Sequence, residues 1–231
     1  DIIPVEELYK ICETVRELTK GDEYKIARVI ARPFVGKPGS FTRTPKRHDY
    51  ALDPPKNVLD LLDKNKVKTI AIGKISDIFN NKSIAVKVRT KDNLDGIMKL
   101  IDFAKGEFEG FLFANLNDFD MLYGHRRDRV GYLKALEELN YYLPTFLKNL
   151  KEDDLFILTA DHGNDPTWKG TDHTREYIPI MIYSPSFKYG KRLNDRSTFA
   201  DIGATVLDNF GIKNDLGIGT SIFDEIKKDE E

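Results

Sequence analysis

A chain of 231 residues, 40% hydrophobic and 32% charged, can bury the core of one large domain, or of one domain with a small appendage, and is too apolar for a disordered segment. Its 36 Lys and Arg nearly cancel its 38 Asp and Glu, so no global field favours nucleic acid or an anionic membrane, and any anion must be recognised locally. The single cysteine, Cys12, excludes an intramolecular disulfide, and no apolar run approaches the roughly 20 residues that span a bilayer.

With no signal peptide visible, a cytoplasmic protein is the expectation, with no nucleic acid or membrane partner. The chain opens on Asp1 rather than Met and runs straight into a helical pattern, as if entered partway through a longer protein. Residues 4–19 predict an amphipathic helix with Val5, Leu8, Ile11, Cys12, Val15 and Leu18 on one face, Pro4 at its first position and Gly21 just past its end. Cys12 reads as a small buried hydrophobe there. Residues 24–31 alternate and predict a strand. The next 24 residues, 32–55, hold five prolines, two glycines and many basic side chains, and predict a long functional loop or linker.

Helices and short apolar runs then alternate. A helix at 56–64 precedes the run 67–73, a helix at 92–105 precedes 110–116, and a long helix at 128–150 precedes 154–160. A further strand is expected at 177–184. Thr198 and Asp201 predict a capping box for a helix over 198–210, stopped by Gly211. The KKDEE tail reads as a solvated end. This alternation indicates an α/β fold with a mostly parallel sheet covered by helices on both faces. Such sheets bind ligands beyond the carboxyl ends of their strands. Three of those ends are chemically capable here: Lys74, Asn115 to Asp120, and Asp161–His162.

Three of the four histidines lie in two segments, DFDMLYGH (118–125) and ADHGNDPTWKGTDH (160–173). An isolated Asp-His pair is ordinarily a polar turn. Here Asp161 and His162 share a strand end, His173 returns across a loop bearing Gly and Pro, and Asp120 and His125 flank a turn at Gly124. Carboxylate and imidazole donors suit Mn, Zn or Fe, and five of them exceed what one open catalytic ion needs. Two ions about 3.5–4 Å apart would clamp a phosphoryl group. Asp118, Asp165 and Asp172 read as supporting or turn residues, and His48 as structural. Arg126 and Arg127 could screen the site or simply cap the next helix.

These segments, TADHGNDPTWKGTDHTREYIP and NLNDFDMLYGHRRD, resemble the metal-binding segments of the phosphopentomutase family in the alkaline phosphatase superfamily. ARVIARPFVGKPGSFTRTPKRHDYAL, AIGKISDIF and TFADIGATVLDNFG are similar to the same family, so the resemblance spans nearly the whole chain. TRTPKRHDYAL and YGHRRD are its most specific parts. The resemblance implies an alkaline-phosphatase-like core at 54–231, with 1–53 forming part of a smaller α+β cap. It implies two Mn²⁺ ions, one held by Asp161 and His162 and the other by Asp120, His125 and His173. It implies phosphate transfer between the 1- and 5-positions of ribose or deoxyribose through a phosphothreonine. Arg28, Ile30, Arg43 and Lys74 would contact the pentose phosphate. The family's threonine and one further aspartate ligand have no match in this chain, and Thr159, Thr171 and Thr174 lack the nucleophile's context. They are expected upstream, which would leave the chain alone inactive. A monomer is expected, and the alternatives are another two-metal enzyme of the superfamily, such as a cofactor-independent phosphoglycerate mutase, or a non-catalytic fragment.

Overall fold

The computed structural model describes residues 2–24 and 26–227. Asp1, Lys25 of the expected strand, and residues 228–231 of the expected solvated tail lie outside them. The chain divides into two compact units, 1–55 and 56–231.

In the first unit, α1 (Val5–Leu18) packs on β1 (Arg28–Ala31) and β4 (His48–Ala51), which pair antiparallel. Pro4 is the N-cap rather than the first helical residue, and its carbonyl accepts from Leu8 N at 3.0 Å. The buried face of α1 also differs from the apolar stripe. Cys12 is buried, but so is Arg16, whereas Ile11, Val15 and Leu18 are exposed. Arg16 can be buried because its guanidinium donates to the carbonyls of Ile26 (2.8 Å) and Thr19 (2.7 Å). The strand expected at 24–31 begins only at Arg28.

The expected loop at 32–55 is partly sheet. Besides β4 it holds β2 (Phe34–Val35) and β3 (Thr42–Arg43), paired antiparallel. Lys37-Pro38-Gly39-Ser40 turns between them, with Ser40 N donating to Lys37 O at 2.9 Å and Gly39 at φ 89°. Proline presets the second turn position and glycine supplies the positive φ of the third. His48 packs between the rings of Tyr9 and Tyr50, a structural place.

The second unit contains α2 (Val58–Lys64), β5 (Thr69–Ile72), α3 (Ile75–Ile78), β6 (Val86–Val88), α4 (Asn93–Lys105) and β7 (Phe111–Ala114). A π-helical turn (Phe119–Gly124), α5 (Arg129–Lys148), β8 (Phe156–Thr159), β9 (Ile180–Tyr183), α6 (Ala200–Asn209) and α7 (Phe223–Lys227) follow. Strands β6-β5-β7 form a parallel sheet with β5 in the centre, buried on both faces. Strands β8 and β9 form a separate antiparallel pair. The fold is thus α/β with a parallel sheet flanked by helices. The short elements α3 and β6 carry too little periodicity to be expected from sequence.

Leu59, Leu61 and Leu62 of α2 meet Val206 and Leu207 of α6 in the core, against which Phe111 of β7 and Ile157 of β8 also pack. Asn57, Asp92 and Asp128 cap α2, α4 and α5 through their side chains. Gly211 ends α6 at φ 65°, with Ile212 N donating to Leu207 O at 2.9 Å, as a left-handed cap requires. The capping box expected at Thr198 does not form. The Asp201 carboxylate instead accepts from Arg196 Nε and Thr220 N, both at 2.8 Å, which ties α6 to the segments on either side.

Two outcomes follow for stability. Gly73 lies at φ 80° where β5 ends, and a Cβ there would stand 2.6 Å from Asn115 O. Gly73→Ala should therefore cost roughly 1–3 kcal/mol in chemical denaturation. Burial pushes the Asp201 carboxyl up, but the Thr220 N–H and the Arg196 guanidinium outweigh it and hold the group below its usual value of 3.8. Its stabilisation is present above that value and is lost as pH falls through the lowered folded value. Acid unfolding followed by circular dichroism should lose that part of its slope in Asp201→Asn.

Candidate metal centre

The carboxyl ends of β5 and β7 and the loop after β8 supply the chemistry of the second unit. Beyond β7, the reciprocal bonds Asn93 N to Asp118 Oδ2 (2.8 Å) and Asp118 N to Asn93 Oδ1 (3.0 Å) pin the chain to the start of α4. The π-helical turn follows, closed by His125 N donating to Asp120 O at 2.9 Å. π-Turns of this kind are frequent at functional sites. Met121, next to Asp120, has its sulfur 2.9 Å from Lys74 Nζ, so the cation at the end of β5 reaches this turn.

After β8, the chain passes Asp161 and His162 and returns. Gly163 and Thr174 form an isolated antiparallel bridge, with Thr174 N donating to Gly163 O at 3.0 Å. The Thr174 hydroxyl also accepts from Asp165 N and donates to Glu176. Asp165 accepts from the Thr167 hydroxyl and N–H, which, with Arg127 nearby, hold its carboxyl below the usual range. The closed loop thereby brings His173 to Asp120.

Asp120, His125 and His173 offer one ligand atom each, all within 4.8 Å of one another. His125 Nε2 lies 3.3 Å from Asp120 Oδ2, His173 Nε2 lies 3.2 Å from Asp120 Oδ1, and the two Nε2 atoms are 3.2 Å apart. His125 Nδ1 faces the Thr171 carbonyl. A carbonyl only accepts, so Nδ1 carries a proton, and the neutral ring of this tautomer presents its Nε2 lone pair to the cluster. Bonds of about 2.1 Å to one ion would set ligands about 3.0–3.4 Å apart, and the two Nε2 atoms lie at such a spacing from each other and each from a different oxygen of Asp120, so the carboxylate and the two rings suit a divalent cation.

His162 stacks on His173 with ring centroids 3.7 Å apart, and His173 stacks on His125 at 4.7 Å. Asp161 Oδ1 is 3.6 Å from His162 Nε2 and its side chain is exposed, so this pair forms a two-residue set beside the first. In the first unit, Arg28 lies 3.8 Å from Asp49, Ile30 stands opposite Asp49 in the β1–β4 register, and Arg43 is exposed on β3.

Three participants were not expected from sequence, and a fourth, Arg127, has a role that was not. Asn164 Nδ2 donates to Asp120 Oδ1 at 2.6 Å. Arg127 does not cap α5, which Asp128 caps; it binds the return loop. The Thr171 carbonyl orients His125. Tyr132 packs on Phe119, and its hydroxyl is pushed up by burial first, then by the charges of Asp120 and Glu176. Only the adjacency of Asn164 and Arg127 to ligands hinted at a role.

Fold and cluster together describe an α/β protein with a candidate centre for a divalent metal. Residues 36–214 match the Metalloenzyme superfamily, and the chain belongs to it. Its structure is similar to a phosphoglycerate mutase of Leishmania mexicana determined at low cobalt concentration, with TM-score 0.54 and 17% identity over 71% of this chain and 38% of that one. It is also similar to the PH0037 protein of Pyrococcus horikoshii, with TM-score 0.47 and 11% identity over 78% and 52%. The chain thus spans about two-fifths and one-half of those proteins. Among the described residues, no helix is long and apolar enough to cross a membrane.

His173→Ala should weaken Mn²⁺ binding by at least about 100-fold, beyond the loss that outer-shell changes cause. If Asp161 and His162 hold a second ion, His162→Ala should weaken its binding. Titration calorimetry resolves the two sites, and unchanged occupancy in either variant contradicts the corresponding assignment.

Proposed function

We propose that this chain serves a phosphopentomutase, which moves a phosphoryl group between the 1- and 5-positions of ribose or deoxyribose. The observation that carries this reading is the meeting of Lys74 with the turn that bears Asp120, beside the Asp120–His125–His173 cluster. A fixed cation next to carboxylate and imidazole donors suits a phosphate ester, because positioning and electrostatics dominate phosphoryl transfer. The basic strings TRTPKRHDYAL and YGHRRD support a pentose phosphate over other esters through their resemblance to that family.

Asp120, His125 and His173 would hold one Mn²⁺ ion, and Asp161 and His162 a second. Bound divalent ions supply charge neutralisation to the phosphoryl oxygens. Lys74 would add a point charge near them, and the resemblance implies that Arg28 and Arg43 would offer planar donor forks to the substrate's phosphate. Ile30 would contact the sugar. The phosphate-carrying threonine that the resemblance implies has no match here, so these residues hold and orient rather than attack. The shared fold supports a second reading, a cofactor-independent phosphoglycerate mutase.

Assay of the full-length protein with Mn²⁺ separates the readings. The proposal expects conversion of ribose 1-phosphate to ribose 5-phosphate without loss of phosphate. Release of free phosphate, or interconversion of phosphoglycerates instead, would contradict it. Arg43→Ala should raise KM for the pentose phosphate by about tenfold or more, as losing a charged hydrogen bond does, at unchanged metal content.

A further inference from the structure

Arg127 occupies a backbone position that normally calls for glycine. The π-helical turn ends with Asp128 N donating to Tyr123 O at 3.0 Å and Arg127 N donating to Gly124 O at 3.1 Å. That bond pattern closes a helix around one left-handed residue, and here that residue is Arg127, at φ 55°. A side chain that holds an unfavourable backbone conformation is over-determined by its surroundings.

The guanidinium supplies that determination. Its Nε donates to Gly170 O and its Nη2 to Asp172 O at 2.6 Å. Its Nη1 donates to Asp165 O and Asn164 Oδ1, both at 2.8 Å, and to Gly124 O at 3.1 Å. Four of these acceptors lie on the return loop between Asn164 and Asp172, and the fifth on the turn that carries Asp120. The loop residue between Gly170 and Asp172 is Thr171, whose carbonyl faces His125 Nδ1. Asn164, its Oδ1 occupied by Arg127, turns its amide N–H to Asp120 Oδ1 at 2.6 Å. Gly124 leaves the room for this, since a Cβ there would stand 2.4 Å from Asn164 Nδ2.

We propose that Arg127 is a positioning residue of the metal centre, acting on two of its three ligands at once. Through Asn164 it fixes the Asp120 carboxylate, and through Gly170 and Asp172 it fixes the Thr171 carbonyl that sets the His125 tautomer. It touches no substrate in this role. A lysine keeps the charge but lacks the planar fork that reaches several carbonyls in fixed directions. The inference rests on the assignment of Asp120, His125 and His173 as ligands of one divalent ion.

The test uses Mn²⁺ as probe and ¹⁵N spectra of the histidine rings in the metal-free protein. Arg127→Lys, Arg127→Ala and Asn164→Ala should each raise the Mn²⁺ Kd by about 10- to 100-fold, the usual effect of losing an outer-shell partner. Arg127→Ala combined with Asn164→Ala should cost less than the product of the two, because both act through one path. The His125 ring should change from one tautomer to a mixture in the Arg127 variants. The exposed neighbour serves as control, and Arg126→Ala should change neither reading. If Arg127→Ala fails to fold, Arg127→Lys carries the test. Wild-type Kd and a single His125 tautomer in folded Arg127→Lys would overturn the proposal and leave the metal centre standing. Absence of Mn²⁺ binding by the wild type would overturn both.

Discussion

Three electron-pair donors that point at one another are the constraint on which the second unit depends. The Asp120 carboxylate and the Nε2 atoms of His125 and His173 stand 3.2–3.3 Å apart. Lone pairs so close repel unless a proton or a cation lies between them. The backbone accepts this because the ligands come from two segments, each held by its own hydrogen bonds. A π-helical turn carries Asp120 and ends at His125, and a bridged loop returns His173.

The parallel sheet explains where the constraint can be met. Strands β5 and β7 run side by side in parallel, so their carboxyl ends deliver Lys74 and the Asp120 turn to the same edge. Gly73 allows the closest approach, because its backbone lies against the Asn115 carbonyl where a side chain would not fit. Helices α2 and α6 form the apolar base on which Phe111 of β7 and Ile157 of β8 both rest. Burial of that base stabilises the scaffold, and polar bonds at the rim set the geometry of the ligands.

Much of this was legible in the sequence for physical reasons. Long helices showed their periodicity, and the caps Asp92 and Asp128 stood where the patterns began. The buried strand 69–72 and the half-buried strand 111–114 were apolar runs, and the ligand segments stood out because histidine is scarce in this chain. What was missed depends on contacts distant in sequence. Arg16 reads as a solvated charge until Ile26 offers a carbonyl, and Asp201 reads as half of a capping box until Arg196 and Thr220 take its oxygens. The strands β2 and β3 were hidden in a proline-rich stretch whose Pro38-Gly39 turn was the one local sign of a hairpin. Arg127 was invisible as an organiser because its partners lie about 40 residues away.

The central claim is that one divalent ion is shared by Asp120, His125 and His173. Anomalous diffraction at the manganese edge, from crystals of the full-length protein grown with Mn²⁺, tests it most directly. The account predicts an anomalous peak within bonding distance of one Asp120 oxygen and of both Nε2 atoms. Manganese bound elsewhere, with these three side chains ligating nothing, would contradict it.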